Sequence, residues 1–184
     1  MTQQEQDIEK VTANTGIKWG GFSAAVYVIT TYLMFIIFKD ARCVIGPYSY
    51  VPYLAMIIFM FFAAIEKRKL MGGYINFRTT VSNTFLVLLI TMVSFMIFQY
   101  VLYNIMAPQL KESLKYYTIQ YVSQLLHQLK YPQEQFDEAI SMYKNSSTDM
   151  PISRIFPQTL TSVVFGFFWA AMVALIIRKK QPLV

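Results

Sequence analysis

The sequence predicts an all-α fold: an integral membrane four-helix bundle with an extracytoplasmic helical hairpin between spans three and four. Three observations carry this reading. Of 184 residues, 55% are hydrophobic and only 14% charged, against about 25% charged in an ordinary soluble domain. Four stretches, Trp19–Phe38, Val44–Ile65, Val81–Tyr103 and Phe156–Ile177, contain no Asp, Glu, Lys, Arg or His. Each reaches the roughly 20 apolar residues that cross a bilayer core, and backbone pairing within lipid makes them helices rather than open strands. Finally, the basic residues gather beside one set of span ends.

Taken in order, residues 1–18 form a polar cytoplasmic segment, expected to be frayed over Met1–Thr15. Span one follows. It is too long for the apolar core of a signal peptide, and Phe38-Lys39-Asp40 offers no small-residue cleavage site. Pro47 and Pro52 fall near the start of span two, where a missing N–H is tolerated. Trp19 beside Lys18 fits one interfacial belt, and Tyr48, Tyr50, Tyr53, Tyr100 and Tyr103 fit the opposite one. Small residues recur every four positions at Gly16, Gly20 and Ala24, and again at Gly166, Ala170 and Ala174. Such seams bring backbones close where hydrophobicity does not drive helices together. They are therefore candidate packing residues, within one chain or between copies.

The outer loop, residues 104–155, has its own pattern. Leu110, Leu114, Tyr117, Tyr121, Leu125 and Leu129 repeat at steps of three and four, predicting an amphipathic helix over 109–130. Pro132 opens a second helix carrying Phe136, Ile140 and Tyr143, and Asn145 to Asp149 reads as a turn. Leu114, Tyr117, Tyr121 and Leu125 are expected to dock on the bundle. Glu134, Asp137 and Glu138 would then form the free face. The 19–177 membrane domain ends in a basic tail, residues 178–184.

The net charge of +6 is explained by topology rather than by nucleic acid. Lys10, Lys18, Lys67, Arg68, Lys69, Arg78, Arg178, Lys179 and Lys180 share one side with four acids, while the long outer loop balances five cations with five acids. Cations beside spans mark the cytoplasmic face. Both termini are thus expected on the cytoplasmic side of the bacterial inner membrane. Lys67, Arg68, Lys69 and Arg78 would anchor the 66–80 segment to anionic headgroups.

Few residues point to chemistry. One cysteine, Cys43, excludes an internal disulfide, and one histidine, His127, lies off the apolar stripe of its helix. No His–Cys metal spacing exists. Gly72-Gly73 lacks the strand–loop–helix setting and Gly-Lys-Ser/Thr ending of a phosphate loop. No cofactor motif, nucleophile–base pair or membrane-buried charge appears. Asn83, Thr84, Thr91, Ser94 and Gln99 put polarity on span three and could line a narrow path. Thr91, Ser94 and Gln99 read most simply as interhelical hydrogen bonds.

Several segments together resemble a known family. "GIKWGGFSAA" is similar to its Gly-rich start of span one, and "EKRKLMGGYINF" to the basic, Gly-Gly, aromatic linker between spans two and three. "YNIMAPQL" is similar to its proline-containing exit from span three, and "MPISRIFPQTLTSVVFGFFWAAMVALIIRKK" to its last helix. The family is the four-span domain of unknown function 4199, common in Bacteroidetes. At Met106-Ala107-Pro108 the sequence departs from it, since the family often places an acid before the proline. The resemblance implies an inner-membrane bundle and no reaction, substrate or cofactor.

The expected function is therefore non-catalytic: a scaffold or accessory membrane protein, meeting membrane lipids and a membrane or periplasmic partner or a second copy of itself. The alternative is a small transporter or lipid-handling protein acting as an oligomer. Nucleic acid is not an expected partner.

Overall fold

In the computed structural model the described residues of all four apolar stretches are helical, satisfying their backbone groups internally as lipid demands. The structure describes residues 3–38, 50–149 and 151–179, of which 3–14 and 154 are described by backbone alone. Cys43, Pro47, Tyr48, the beginning of the expected second span and Lys180 lie outside the described residues.

The helices are α1 (Gln3–Phe38), α2 (Tyr50–Leu70), α3 (Phe77–Val101), α4 (Leu110–Gln128), α5 (Gln133–Asn145) and α6 (Ile152–Ile177). Four are long and apolar enough to cross a membrane, over Thr15–Phe38, Tyr50–Leu70, Phe77–Met106 and Ile155–Ile177.

The boundaries differ from the expectation in instructive places. The polar N-terminal segment is helical from Gln3, not frayed. No Gly or Pro precedes Gly16, and Glu, Gln and Lys are good helix formers. Likewise α2 runs on through Lys67–Lys69 until Gly72 and Gly73 turn the chain at φ 73° and 91°, the left-handed region that glycine enters at least cost. A side-chain cap then starts α3: Asn76 Oδ1 accepts from Thr79 N–H at 2.8 Å. At the far end a π-helical turn, Leu102–Met106, extends α3 and closes with Ala107 N–H donating to Leu102 O at 2.9 Å. Pro157 lies inside α6, where its missing N–H leaves the preceding turn one bond short.

α2 and α3 each pack against all the other spans, while α1 and α6 occupy opposite corners of the bundle. Met56, Met60, Ala63, Ala64, Val87, Leu88, Met92, Ala170 and Val173 fill the middle. Two links place both termini at one end, here called the basal end. Lys18 Nζ pairs with Glu66 Oε1 at 2.9 Å. Ile75 and Lys179 exchange backbone hydrogen bonds at 3.0 and 3.1 Å, a short antiparallel bridge between the α2–α3 turn and the C-terminal tail.

At the other, distal end, α4 and α5 pack on each other as a helix pair. Their turn places Lys130 at φ 54° and is closed by Tyr131 N–H donating to Leu126 O at 3.1 Å. His127 stacks against Phe136, 4.6 Å between ring centres. Lys115 Nζ donates to Ser146 O at 2.8 Å, tying the first turns of α4 to the end of α5.

Candidate functional site

Both small-residue seams face α3. A Cβ built on Gly16 would stand 2.9 Å from Leu86 Cδ2 and 3.0 Å from Asn83 Oδ1, and one on Gly20 would stand 2.8 Å from Ile90 Cδ1. On the opposite flank a Cβ on Gly166 would reach within 2.6 Å of Leu88 Cδ1. Ala24, Ala170 and Ala174 are buried on the same two seams. Gly21, next to Gly20, meets nothing within 4 Å. The seams thus meet neither each other nor, in this arrangement, a second copy. They clasp one central helix from two sides.

Polar groups cross these same contacts. Thr15 Oγ1 donates to Asn83 Oδ1 at 3.0 Å, and Ser23 and Thr91 share a hydrogen bond at 2.9 Å. Thr84 Oγ1 approaches Ala170 O at 3.2 Å. Among the described residues the buried Asn83 Nδ2 meets no acceptor. Close backbones and short hydroxyl bridges reinforce each other, since small residues are what let the hydroxyls reach across. Gln99 plays a different part from the interhelical bond expected of it: it lines a cavity.

The basal cations divide. Lys69 and Arg78 are exposed, as an anchor to headgroups requires. Arg68 Nε instead donates to Gly73 O at 3.0 Å and holds the turn. Lys67 corrects the expectation outright: it is only 7% exposed, because it lies on the face of α2 that also carries Met56, Met60, Ala63 and Ala64. Ile75 is buried at the bridge to Lys179. Glu66 gathers Lys18 and the indole N–H of Trp19. None of this was signalled by periodicity, because the partners lie far apart in sequence.

At the distal end Leu102, Tyr103, Ala107 and Leu110 form a small core, with Phe35, Phe98 and Leu114 packed on it. The expected docking of α4 stops there. Tyr121 and Leu125 are 49% and 41% exposed, because the helix leaves the bundle end after its first turns. Glu134, Asp137 and Glu138 are exposed on α5, with Gln133 Nε2 donating to Asp137 Oδ1 at 3.3 Å.

Two hollows remain. An axial cavity of about 120 Å³ opens in the distal half of the bundle, lined from all four spans by Tyr27, Thr31, Tyr53, Gln99, Gln158 and Ser162 among others. A larger apolar groove of about 590 Å³ runs between α2 and α6 along Tyr50, Leu54, Ile57, Phe165, Gly166 and Trp169. Tyr53 and Ser162 line both. Among the described residues, no three His, Cys, Asp or Glu side chains converge as metal ligands.

Four apolar helices of membrane-crossing length, clasped around α3 and topped by a helix pair, define a multi-pass helical membrane protein. The family model described as "Protein of unknown function (DUF4199)" matches residues 18–179, and the chain belongs to that family. No curated protein and no solved structure matches the chain.

Proposed function

We propose that the chain is a non-catalytic scaffold or accessory protein of the bacterial inner membrane, with the α4–α5 pair outside the cytoplasm as its partner-binding module. One observation carries this reading. The helix pair is held to the bundle through Leu110 and Leu114, yet leaves Tyr121, Leu125, Met142 and the acidic row Glu134, Asp137 and Glu138 exposed. Exposed aromatic and apolar side chains beside charged ones make the kind of mixed surface that a protein partner covers. The balanced charge of the outer loop disfavours adhesion to anionic lipid, which selects an excess of cations.

The basal cations support an orientation with that end in the cytoplasm. In a Cys43→Ser background, Glu134→Cys reacts with an impermeant thiol reagent in intact spheroplasts, and Lys69→Cys reacts only after lysis. The opposite pattern inverts the topology. Replacing residues 110–145 by a flexible linker leaves insertion intact and removes partners cross-linked in the native membrane. Retention of the same partners in the same ratio moves the interaction to the spans and defeats the reading.

A further inference from the structure

We infer that the α2–α6 groove and the adjoining axial cavity together bind one glycerolipid, its acyl chain in the groove and its ester region in the cavity. The inference concerns a different part of the molecule from the helix pair and stands apart from the role given to it.

The groove lies on two membrane-crossing helices, so bilayer hydrocarbon is the medium at its open side. Its volume of about 590 Å³ falls in the range of ligand-binding clefts, about 300–1,000 Å³. Gly166 lines it without presenting a side chain, while Leu54, Phe165 and Trp169 border it. From Gln158 to Trp169 the helix rises about 16 Å at 1.5 Å per residue, close to half of a hydrocarbon core of about 30 Å. That is the reach of one leaflet.

The cavity supplies the second half of the argument. Tyr53, Gln99, Gln158, Thr159 and Ser162 bring hydroxyl and amide groups to the bundle axis within about three turns of the distal helix ends. Its volume of about 120 Å³ exceeds several-fold the roughly 10–15 Å³ that one water requires, so it admits a polar group of a ligand. A lipid that puts its chain in the groove brings its ester oxygens to the shared residues Tyr53 and Ser162. Ser162 and Thr159 already donate to Gln158 O and Ile155 O at 3.1 and 3.0 Å, but a second copy's apolar helix seated in the groove would offer the Gln99 and Gln158 amides of the adjoining cavity no polar partner.

The chemistry also sets specificity. Among the described residues, neither hollow is lined by Asp, Glu, Lys, Arg or His. Recognition therefore falls on the uncharged ester and glycerol region, and the headgroup charge is left outside. Binding is accordingly indifferent to headgroup.

Native mass spectrometry of the full-length protein in detergent, supplied with palmitoyl-oleoyl phosphatidylethanolamine or phosphatidylglycerol, tests this. The expected result is one retained lipid per chain, with similar retention of both lipids. Leu54→Trp fills the groove at an exposed position and should cut retention about tenfold or more, the loss of roughly one decade of affinity. Gln99→Leu removes a polar partner and should cut it about threefold. Ile29→Trp, equally exposed on α1, leaves retention unchanged. The inference is overturned if both groove and cavity variants retain lipid like the parent, or if only the anionic lipid is held. A dimer that Leu54→Trp dissociates also overturns it, because the groove's occupant would then be a second copy.

Discussion

Replacing Gly166 by Leu should force α6 away from α3 and destabilise the bundle. The first side-chain carbon alone would stand 2.6 Å from Leu88 Cδ1, 2.8 Å from its Cδ2 and 3.3 Å from its Cγ. Carbon atoms at their optimum are about 3.5–4.0 Å apart, so the helices must separate by roughly 1 Å or Leu88 must turn aside. Turning aside is hard, since Leu88 is fully buried among Met56, Met60 and Val87. Overpacking of this kind costs about 1–3 kcal/mol. Separation would also stretch the Thr84 Oγ1 to Ala170 O approach of 3.2 Å one turn away, and interhelical bonds in membranes average about 0.6 kcal/mol. For a chain of this size each kcal/mol corresponds to about 2–4 °C in Tm on the scale of soluble domains. Thermal unfolding in mild detergent, read by near-UV dichroism, should show Gly166→Leu several degrees below the parent. Gly21→Leu is the matched control, with nothing within 4 Å of its new Cβ. Equal Tm values for the two variants would refute the clasp.

Three further outcomes follow from other contacts. Lys179→Pro removes the N–H that bonds Ile75 O at 3.1 Å and should lower stability by about 0.5–1.5 kcal/mol, whereas Lys179→Ala should not; matching melts would dismiss the basal bridge. Thr91→Val keeps the shape but deletes the bond to Ser23 and should cost about 0.6 kcal/mol, at most about 1.7; no additional loss on adding Ser23→Ala would confirm a shared bond, and full additivity would deny it. Hydrogen exchange should label Phe95–Gln99 and Gln158–Ser162, beside the axial cavity, faster than Val87–Thr91; uniform protection along α3 would contradict a loose distal half.

The spans were legible because lipid leaves a sequence few choices: an uncharged stretch of sufficient length must be helical. The seams were legible as periodicity, but their target was not. Nothing in Gly16, Gly20 or Gly166 says that Leu86, Ile90 and Leu88 lie opposite, because that pairing depends on which helices become neighbours. Charge misled at one position. Lys67 reads as a headgroup anchor beside Arg68 and Lys69, yet successive helical residues point about 100° apart, and its direction is that of the buried Met60–Ala63–Ala64 face. The α4 stripe misled in the same way, since apolar periodicity records a face without saying what covers it. Of the axial cavity's polar lining, the sequence singled out Gln99, not Gln158, Thr159 or Ser162. The cavity arises from a space of about 120 Å³ left between spans that are distant in sequence, and its lining polar groups look individually like ordinary helix residues.

These corrections expose an asymmetry within the bundle. At the basal end Gly16, Gly20, Ala63, Ala64, Ala170 and Ala174 let the helices approach closely, and the Ile75–Lys179 bridge and the Lys18–Glu66 pair join segments that the spans alone would leave apart. The ion pair is half exposed and contributes little, about 0–1 kcal/mol; the seams carry most of the closure through dispersion. Toward the distal end the seam residues give way to Tyr27, Tyr53, Phe95 and Gln99, whose bulk props the same helices apart around polar space. Tyr27 packs edge-on to both Tyr53 and Phe95, with ring centres 5.5 and 4.6 Å away, so the spacing is set by packed rings rather than by an unfilled defect. Pro157 leaves α6 one backbone bond short beside the cavity-lining Gln158 and Thr159. α3 connects this end to the helix pair through its π-helical turn and the small core of Leu102, Tyr103, Ala107 and Leu110. A closed base and a propped distal half are what a bundle needs if it is to stay assembled while its functional surfaces lie at one end.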